Sequence, residues 1–359
     1  MKPLKLVPAN NTFGALQAVI GMLQDEHGLF ITPAEFNGLM PEVAGLPSEV
    51  EPDVAAIVES SGTTGTPKRI ELTTSALLAS AKASADFLRG QGQWLLALPI
   101  NFVAGLNVLV RSVVADTQPV MMNTQLPFTA EGFARSASLM TGEKRYTSLV
   151  PAQLARLAAQ AEQDPDLFRI LRSFDSILVG GQLPDFDLVE RLRNDGVNLT
   201  ISYGMTETCG GCFYNGLPIG DTALRLDGGL VSIAGSVLAK GFGPWHQTND
   251  LGELIDERLV IMGRADRVII SGGIKLSLEV VEQFVQNLPG VEEAAAVALK
   301  SSWGESVGIA YCGSPEVDFS ALANLGVAAH NPKILRLASL PKLQTAKPDL
   351  LAISELFND

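Results

Sequence analysis

Ser60-Ser61-Gly62-Thr63-Thr64-Gly65-Thr66-Pro67-Lys68 is the stretch whose reading decides the rest. Every residue from Ser60 to Thr66 is a glycine or carries a hydroxyl. Ile57-Val58 lead in and Ile70-Glu71-Leu72 lead out, both short and β-prone. Glycines let backbone N–H groups turn inward around an anion, hydroxyls add donors, and a lysine adds charge. The stretch reads either as a polar turn between two strands or as a loop that holds phosphate. It is not the P-loop of nucleotide hydrolases, which needs Gly, four residues, then Gly-Lys-Ser/Thr. Here Gly62 and Gly65 are three apart, and Pro67 precedes Lys68.

The chain has 359 residues, enough for two or three domains. It is 47% hydrophobic and 18% charged, the balance of a folded globular protein. Lys and Arg number 26 against 39 Asp and Glu, a net charge of −13. That excludes a general attraction to nucleic acid or an anionic membrane. An anionic ligand needs local donors, which Ser60–Lys68 offers. Cys209, Cys212 and Cys312 are too few, and odd in number, for a disulfide framework; they point to reduced thiols in a cytoplasmic protein. Cys209-Gly-Gly-Cys212 has the spacing of a redox or zinc pair, but a second ligand pair is missing and His27, His246 and His330 are scattered. The cysteines are read as structural. Behind Met1–Lys5 stands no long apolar core, and no apolar run approaches the roughly 20 residues of a membrane span.

Working outward, residues 11–27 space Phe13, Leu16, Ile20 and Leu23 as on an amphipathic helix. Residues 31–52 hold four prolines and are expected to run over the surface. Ala55–Val58 reads as a buried strand, and Ser75–Arg89 as a helix capped by Thr73-Thr74. Strands are expected at Trp94–Pro99, Pro119–Met122, Tyr146–Val150, Ser176–Val179 and Leu199–Ser202. Helices are expected at Ala104–Val114, Phe133–Leu139, Pro151–Ala161 and Leu188–Arg193. Arg111 is the one charge on an otherwise apolar helix. Such alternation implies a largely parallel sheet with helices on both faces, and ligands at the carboxyl ends of its strands. Ser60–Lys68, Gly180-Gly181 and Tyr203–Thr208 each follow a strand and so could converge there. After residue 215, short strands between glycine turns suggest a small antiparallel subdomain. Residues from about 275 onward give a helix at Ser277–Leu288, a strand at Ala294–Ala298, a helix at 319–325 and a strand at Lys333–Leu337. The fold class is therefore α/β: a large N-terminal domain of mostly parallel sheets with an antiparallel subdomain, residues 1–265, and a small mobile α+β domain, residues 266–359.

In this order the motifs resemble the adenylate-forming superfamily of acyl-CoA ligases, luciferases and peptide-synthetase adenylation domains. The resemblance runs from about residue 55 to 350, and the ordered set is far more specific than any one motif. It implies that Ser60, Ser61, Gly62, Thr63, Thr64, Gly65 and Lys68 hold the β- and γ-phosphates of ATP. It implies that Gly180 and Gly181 face adenine, that Tyr203 beside Gly204 packs on adenine, that Thr206 touches phosphate and that Glu207 holds Mg²⁺. Asp250, in Thr248-Asn249-Asp250, and Arg264 would meet the ribose; Asp266 would be the hinge. Gly272 and Gly273 resemble a turn carried to the site by the small domain, and Lys347 resembles the catalytic lysine. The implied chemistry is attack of a carboxylate on the α-phosphate of ATP, then displacement of AMP by the thiol of coenzyme A.

Trp94–Pro99, Tyr146–Leu154 and Tyr203–Cys212 resemble, more narrowly, the short o-succinylbenzoate–CoA ligases of menaquinone biosynthesis. That resemblance implies an acyl pocket lined by Gly210 and Gly211, with Ser148 and Thr208 as further contacts. Arg111 would grip the acid's second, unreactive carboxylate; a structural ion pair is the competing reading. The chain departs from the family in a shortened segment before the phosphate loop, in Asn101-Phe102 where many relatives have histidine, in Asn249 and in Ala346. A ligase for another aryl or fatty acid, and a relative that binds without ligating, stay open. Expected partners are a small carboxylic acid, ATP and coenzyme A, with neither nucleic acid nor membrane span, and a homodimer as a candidate assembly.

Overall fold

A computed structural model describes residues 1–36, 39–60, 68–271, 274–301, 304–325, 332–342 and 348–357. The first sheet contains β1 (Lys2–Pro8), β2 (Gly28–Thr32), β3 (Glu49–Val50), β4 (Val54–Ser60) and β5 (Lys68–Thr73), in the order β3-β1-β2-β4-β5. β1, β2 and β4 run parallel, and β5 returns antiparallel beside β4. Two of these strands, β1 and β2, escape a periodicity reading. β1 mixes lysines and prolines with its apolar residues, and β2 is a continuous buried run of five. Ile31 and Thr32 are therefore core, not surface. Helix α1 (Thr12–Leu23) starts where Asn11 accepts from the Gly14 N–H. It stops short of residue 27 because Asp25 adopts a left-handed backbone and turns the chain into β2. Helix α2 (Thr74–Phe87) is capped by Thr73, which accepts from the Ala76 N–H.

The second sheet contains β6 (Gln93–Leu96), β7 (Val120–Met121), β8 (Arg145–Leu149), β9 (Ser176–Gly180), β10 (Leu199–Met205), β11 (Gly210–Tyr214) and β12 (Leu217–Pro218). Its order is β12-β11-β10-β9-β8-β6-β7. The strands from β7 to β10 are parallel, while β11 and β12 fold back antiparallel. Between them come α3 (Val103–Val114), α4 (Ala130–Ala137), α5 (Pro151–Ala161), α6 (Pro165–Arg172) and α7 (Phe186–Asn194). Side chains alternate across each strand. Trp94, Leu96, Tyr146 and Leu178 pack in one core with α2 and α3. Leu95, Leu149, Ile177 and Val179 pack in the other with α4 to α7. This is the expected parallel sheet covered on both faces.

A third, four-stranded sheet follows: β13 (Ala223–Asp227), β14 (Leu230–Ala234), β15 (His246–Ile255) and β16 (Arg258–Arg264), in sequence order. By contacts the chain divides into two compact units. The first is Met1–Arg225, Ser232–Gln247 and Asp256–Leu259; the second is Leu226–Val231, Thr248–Ile255 and Val260–Asp359. The second unit holds β17 (Val268–Ser271), β18 (Ile274–Ser277), β19 (Val291–Ser301), β20 (Gly304–Gly313) and β21 (Lys333–Arg336), with α8 (Leu278–Gln286) and α9 (Leu350–Glu355). Val281 and Val285 of α8 pack on Ala296, Val307 and Ile309. Ile353 of α9 packs with Ala295 and Val297. The segment expected as a helix at 319–325 is a 3₁₀ turn, Ser320–Leu325. Among the described residues no helix is long and apolar enough to cross a membrane.

Candidate active site

Antiparallel pairing of β4 with β5 sets Ser60 opposite Lys68, so the two ends of the glycine–hydroxyl stretch lie side by side. The Ser60 Oγ donates to the Lys68 carbonyl at 3.4 Å, and Lys68 is exposed. Ser61, Gly62, Thr63, Thr64 and Gly65 lie outside the described residues, as do Gly272, Gly273, Ala346 and Lys347.

Gly180 ends β9 opposite Ser202 of β10. A Cβ at Gly180 would stand 2.5 Å from the Ser202 carbonyl oxygen, and Gly181 has φ +85°, so both positions exclude a side chain for backbone reasons. Tyr203 and Gly204 follow on β10, where the register against β11 slips by one residue. Gly204 faces the Gly210 carbonyl so closely that a Cβ could not be added. Beyond Met205 the chain makes a 3₁₀ turn, Thr206–Thr208, and Cys209 reverses it with φ +51°. The carboxyl ends of β9 and β10 thus gather Gly180, Gly181, Tyr203, Gly204, Thr206 and Glu207, as the parallel sheet implied.

The turn is held from three sides. Within it, the Met205 N–H donates to the Thr208 Oγ1 at 3.0 Å, and that hydroxyl donates to the Gly210 carbonyl at 2.7 Å. Thr208 is fully buried, and its hydroxyl is occupied in shaping the turn. The Ala239 N–H donates to the Glu207 carbonyl at 2.8 Å. From behind, the Ser80 Oγ of α2 and the Asn107 Nδ2 of α3 both donate to the Cys209 carbonyl, at 3.1 and 2.8 Å. The Glu207 side chain remains half-buried above this frame.

Gly210 and Gly211 carry a packing reason of their own. A Cβ on Gly210 would collide with the Asn107 amide, and one on Gly211 with Ser202 and Tyr214. Ser148 is buried inside β8, opposite Leu178 of β9. Arg111 is 5% exposed. Its Nη2 donates to the Tyr214 hydroxyl at 3.1 Å, and its guanidinium carbon lies 4.9 Å from the centre of the Trp94 ring. Its Nε has no partner, and among the described residues no acidic side chain pairs with it. The ion pair weighed from the sequence is thus not made there. Cys209 and Cys212 are free and buried, and burial pushes both thiols up to about 12. They line no described metal cluster: among the described residues no three His, Cys, Asp or Glu are placed to hold a metal ion.

The second unit carries an ionic cluster. Arg264 binds Asp266 bidentately, Nε to Oδ1 at 2.9 Å and Nη2 to Oδ2 at 2.7 Å. Its Nη1 lies 3.6 Å from the Asp250 Oδ1, and its backbone N–H donates to the Glu279 Oε2 at 3.0 Å. The Asp266 pair, above all, holds the guanidinium charged. Burial raises the Glu279 carboxyl above its ordinary range. The Asp250 side chain is 15% exposed, and its own N–H donates to the Thr248 Oγ1 at 3.0 Å. Sequence motifs named Asp250, Arg264 and Asp266 but missed Ser80, Asn107 and Tyr214. The available signal was spacing: Ser80/Ser84 and Asn107/Arg111 are polar pairs four apart on their helices, and such pairs share one face.

The AMP-binding enzyme family pattern matches residues 17–238. A probable 2-succinylbenzoate–CoA ligase of Mycobacterium tuberculosis is 37% identical over 300 residues, covering 79% of this chain and 76% of the relative. The 2-succinylbenzoate–CoA ligase of Bacillus velezensis is 28% identical over 330 residues, covering 79% of this chain and 65% of its own. Among solved structures, o-succinylbenzoate CoA synthetase of Bacillus subtilis with its acyl-adenylate intermediate superposes with a TM-score of 0.79 at 22% identity, covering 98% of this chain and 88% of that one. An amide bond synthetase of Marinactinospora thermotolerans reaches 0.75 at 17% identity, covering 99% and 90%. The two structures share the fold, and the residues matched by the family pattern, 17–238, include Ser60–Lys68, Gly180-Gly181 and Tyr203–Glu207. The chain belongs to the AMP-binding enzyme family.

Proposed function

We propose that the chain is an ATP-dependent acid–thiol ligase that converts o-succinylbenzoate to its coenzyme A thioester in menaquinone biosynthesis. One carboxylate oxygen attacks the α-phosphorus of ATP, the bond to pyrophosphate breaks, and o-succinylbenzoyl-AMP forms. The thiol of coenzyme A then attacks the acyl carbon, AMP leaves, and the thiol proton passes to solvent. The relatives named for this reaction support the reading, and one observation carries it to a dicarboxylate. Arg111 is a buried cation with only neutral partners and an unpaired Nε. Burying a charge without a counterion is costly, so a substrate carboxylate is the partner it lacks.

Roles are proposed residue by residue. Lys68 and the hydroxyl and glycine residues Ser60–Gly65 orient the β- and γ-phosphates and hold the departing pyrophosphate. Gly180, Gly181, Tyr203 and Gly204 form the adenine side, and Asp250 with Arg264 meets the ribose. Thr206 touches phosphate. Glu207 fits Mg²⁺ brought with ATP, since the described residues offer no cluster of three ligands and Mg²⁺ takes few carboxylates beside phosphate oxygens. Bound there, the ion would neutralise phosphate charge. Lys347 stabilises charge on the attacking and α-phosphate oxygens. Residues 266–359 move about Asp266 between the two steps, with Gly272 and Gly273 carried along. Gly210, Gly211, Ser148 and Arg111 form the acid side, and Thr208 shapes it through its turn. The proposed location is the cytoplasm, in keeping with three free thiols. A homodimer is the proposed assembly, rejected by a monomer in sedimentation velocity at micromolar concentration.

The test of the reaction is ATP–pyrophosphate exchange over a panel of acids, followed by detection of the thioester. Exchange with o-succinylbenzoate and formation of its thioester are expected. Exchange with benzoate or fatty acids instead rejects the substrate, and no exchange with any acid favours a binding-only relative.

A further inference from the structure

Behind β11, α2 and α3 each turn a polar pair toward the same strand. Ser80 and Ser84 are one helical turn apart on α2, and Asn107 and Arg111 one turn apart on α3. The first residue of each pair donates to the Cys209 carbonyl, at 3.1 and 2.8 Å. The second of each meets the Tyr214 hydroxyl, Ser84 at 2.7 Å and Arg111 at 3.1 Å. These six residues form a polar ladder of two rungs, each residue 5% exposed or less, inside an apolar core. Such groups are expensive to bury unless they are hydrogen-bonded, and bonds made in a dry core fix a geometry.

The upper rung ends on the residue that follows Thr206–Thr208, the turn carrying Glu207. Cys209 has a left-handed backbone, which a non-glycine residue holds only when its surroundings impose it. Gly210 lets the Asn107 amide come close enough to do so. The lower rung ends on the one hydroxyl that orients Arg111. We infer that Ser80 and Asn107 are positioning residues for the nucleotide-binding turn, and that Tyr214 is a positioning residue for Arg111 on the acid side. None of the three touches substrate. Each acts through the group it holds, and the two rungs act on different substrates. The inference rests on the ligase reading above.

That division is measurable as a split in KM. Asn107→Ala orphans the Cys209 carbonyl of one donor and loosens the turn; KM for MgATP is expected to rise about tenfold, with KM for the acid within about twofold of wild type. Ser80→Ala, which leaves Asn107 in place, gives a smaller change in the same direction. Tyr214→Phe keeps the ring against Phe87 and removes only the hydroxyl. It is expected to raise KM for the acid about fivefold and leave KM for MgATP unchanged. Thermal melting of each variant is recorded alongside. If both KM values move together in every variant, or neither moves, or kcat alone falls, the ladder is only a core polar network and the inference is overturned. If wild type exchanges pyrophosphate with no acid, the ligase reading fails separately. Calorimetric titration of MgATP into wild type and Asn107→Ala then decides the upper rung: equal affinity overturns it, and about tenfold weaker binding supports it.

Discussion

Two parts of the molecule hold candidate site residues by opposite means. In the first unit the Thr206–Gly211 segment is fixed by neutral hydrogen bonds donated from buried Ser80, Asn107 and Thr208, with no charge pair in the frame among the described residues. In the second unit Asp250, Arg264, Asp266 and Glu279 form a partly exposed cluster of four charged side chains, where the Arg264 guanidinium divides itself between two carboxylates. Neutral bonds in a dry core have few alternative partners, so they give one geometry. Half-exposed charges can exchange partners with water and with one another at little cost. On the proposed reading, the first arrangement suits a turn that stays still around a nucleotide, and the second a segment whose partners change between steps.

The largest effect belongs to the second unit. Lys347→Ala is expected to slow adenylation by about 10²–10³-fold, because one charge at the reacting phosphate is lost. Conversion of supplied o-succinylbenzoyl-AMP to thioester should be largely retained. Pyrophosphate exchange and single-turnover thioester formation measure the two steps, and equal losses would erase the proposed contrast between a fixed and a moving part.

Next comes Arg111, a charge buried in the first unit with no acidic partner among the described residues. Arg111→Met should raise KM for o-succinylbenzoate by about tenfold or more, since a carboxylate loses its guanidinium. The melting temperature should hold or rise, because an uncompensated buried cation is removed. A large drop in melting temperature with unchanged KM would show that the guanidinium serves packing against Trp94 alone.

Glu279 sharpens the comparison through pH. Burial raises its folded pKa above the unfolded value, so the folded state binds this proton more tightly. Its contribution to stability is therefore full below the unfolded pKa and is lost as pH rises through the folded one. Glu279→Gln keeps an acceptor for the Arg264 N–H and cannot titrate. Its melting temperature is expected to match wild type near pH 4 and exceed it near pH 7, the ordinary carboxylate range lying between. No difference at neutral pH would mean that the neighbouring Arg267 and Arg264 already compensate the charge.

The smallest effect tests the dryness of the core behind the turn. Cys209 and Cys212, with thiols pushed up to about 12 by burial, should resist iodoacetamide at pH 8 and react only on unfolding. Mass spectrometry of the native protein reads this directly, and rapid labelling would place water where the ladder is argued to be dry.

Local chemistry alone marked much of this protein. The glycine–hydroxyl stretch and the strand and helix alternation from Trp94 to Ser202 stand out by residue type and local spacing, whereas Glu207, Asp250, Arg264 and Asp266 are singled out by the resemblance of their ordered motifs to a family. Pro151–Ala161 was legible to the residue, because proline starts a helix where no N–H is needed. What stayed hidden depends on partners far away in the chain. β1 and β2 become strands only by pairing with each other and with β4. The glycines at 210 and 211 exclude side chains because Asn107, Ser202 and Tyr214 occupy the space. Whether Arg111 had a counterion could be decided only once α3, β6 and β11 were packed, since a guanidinium's neighbours are set by three segments more than a hundred residues apart at their extremes.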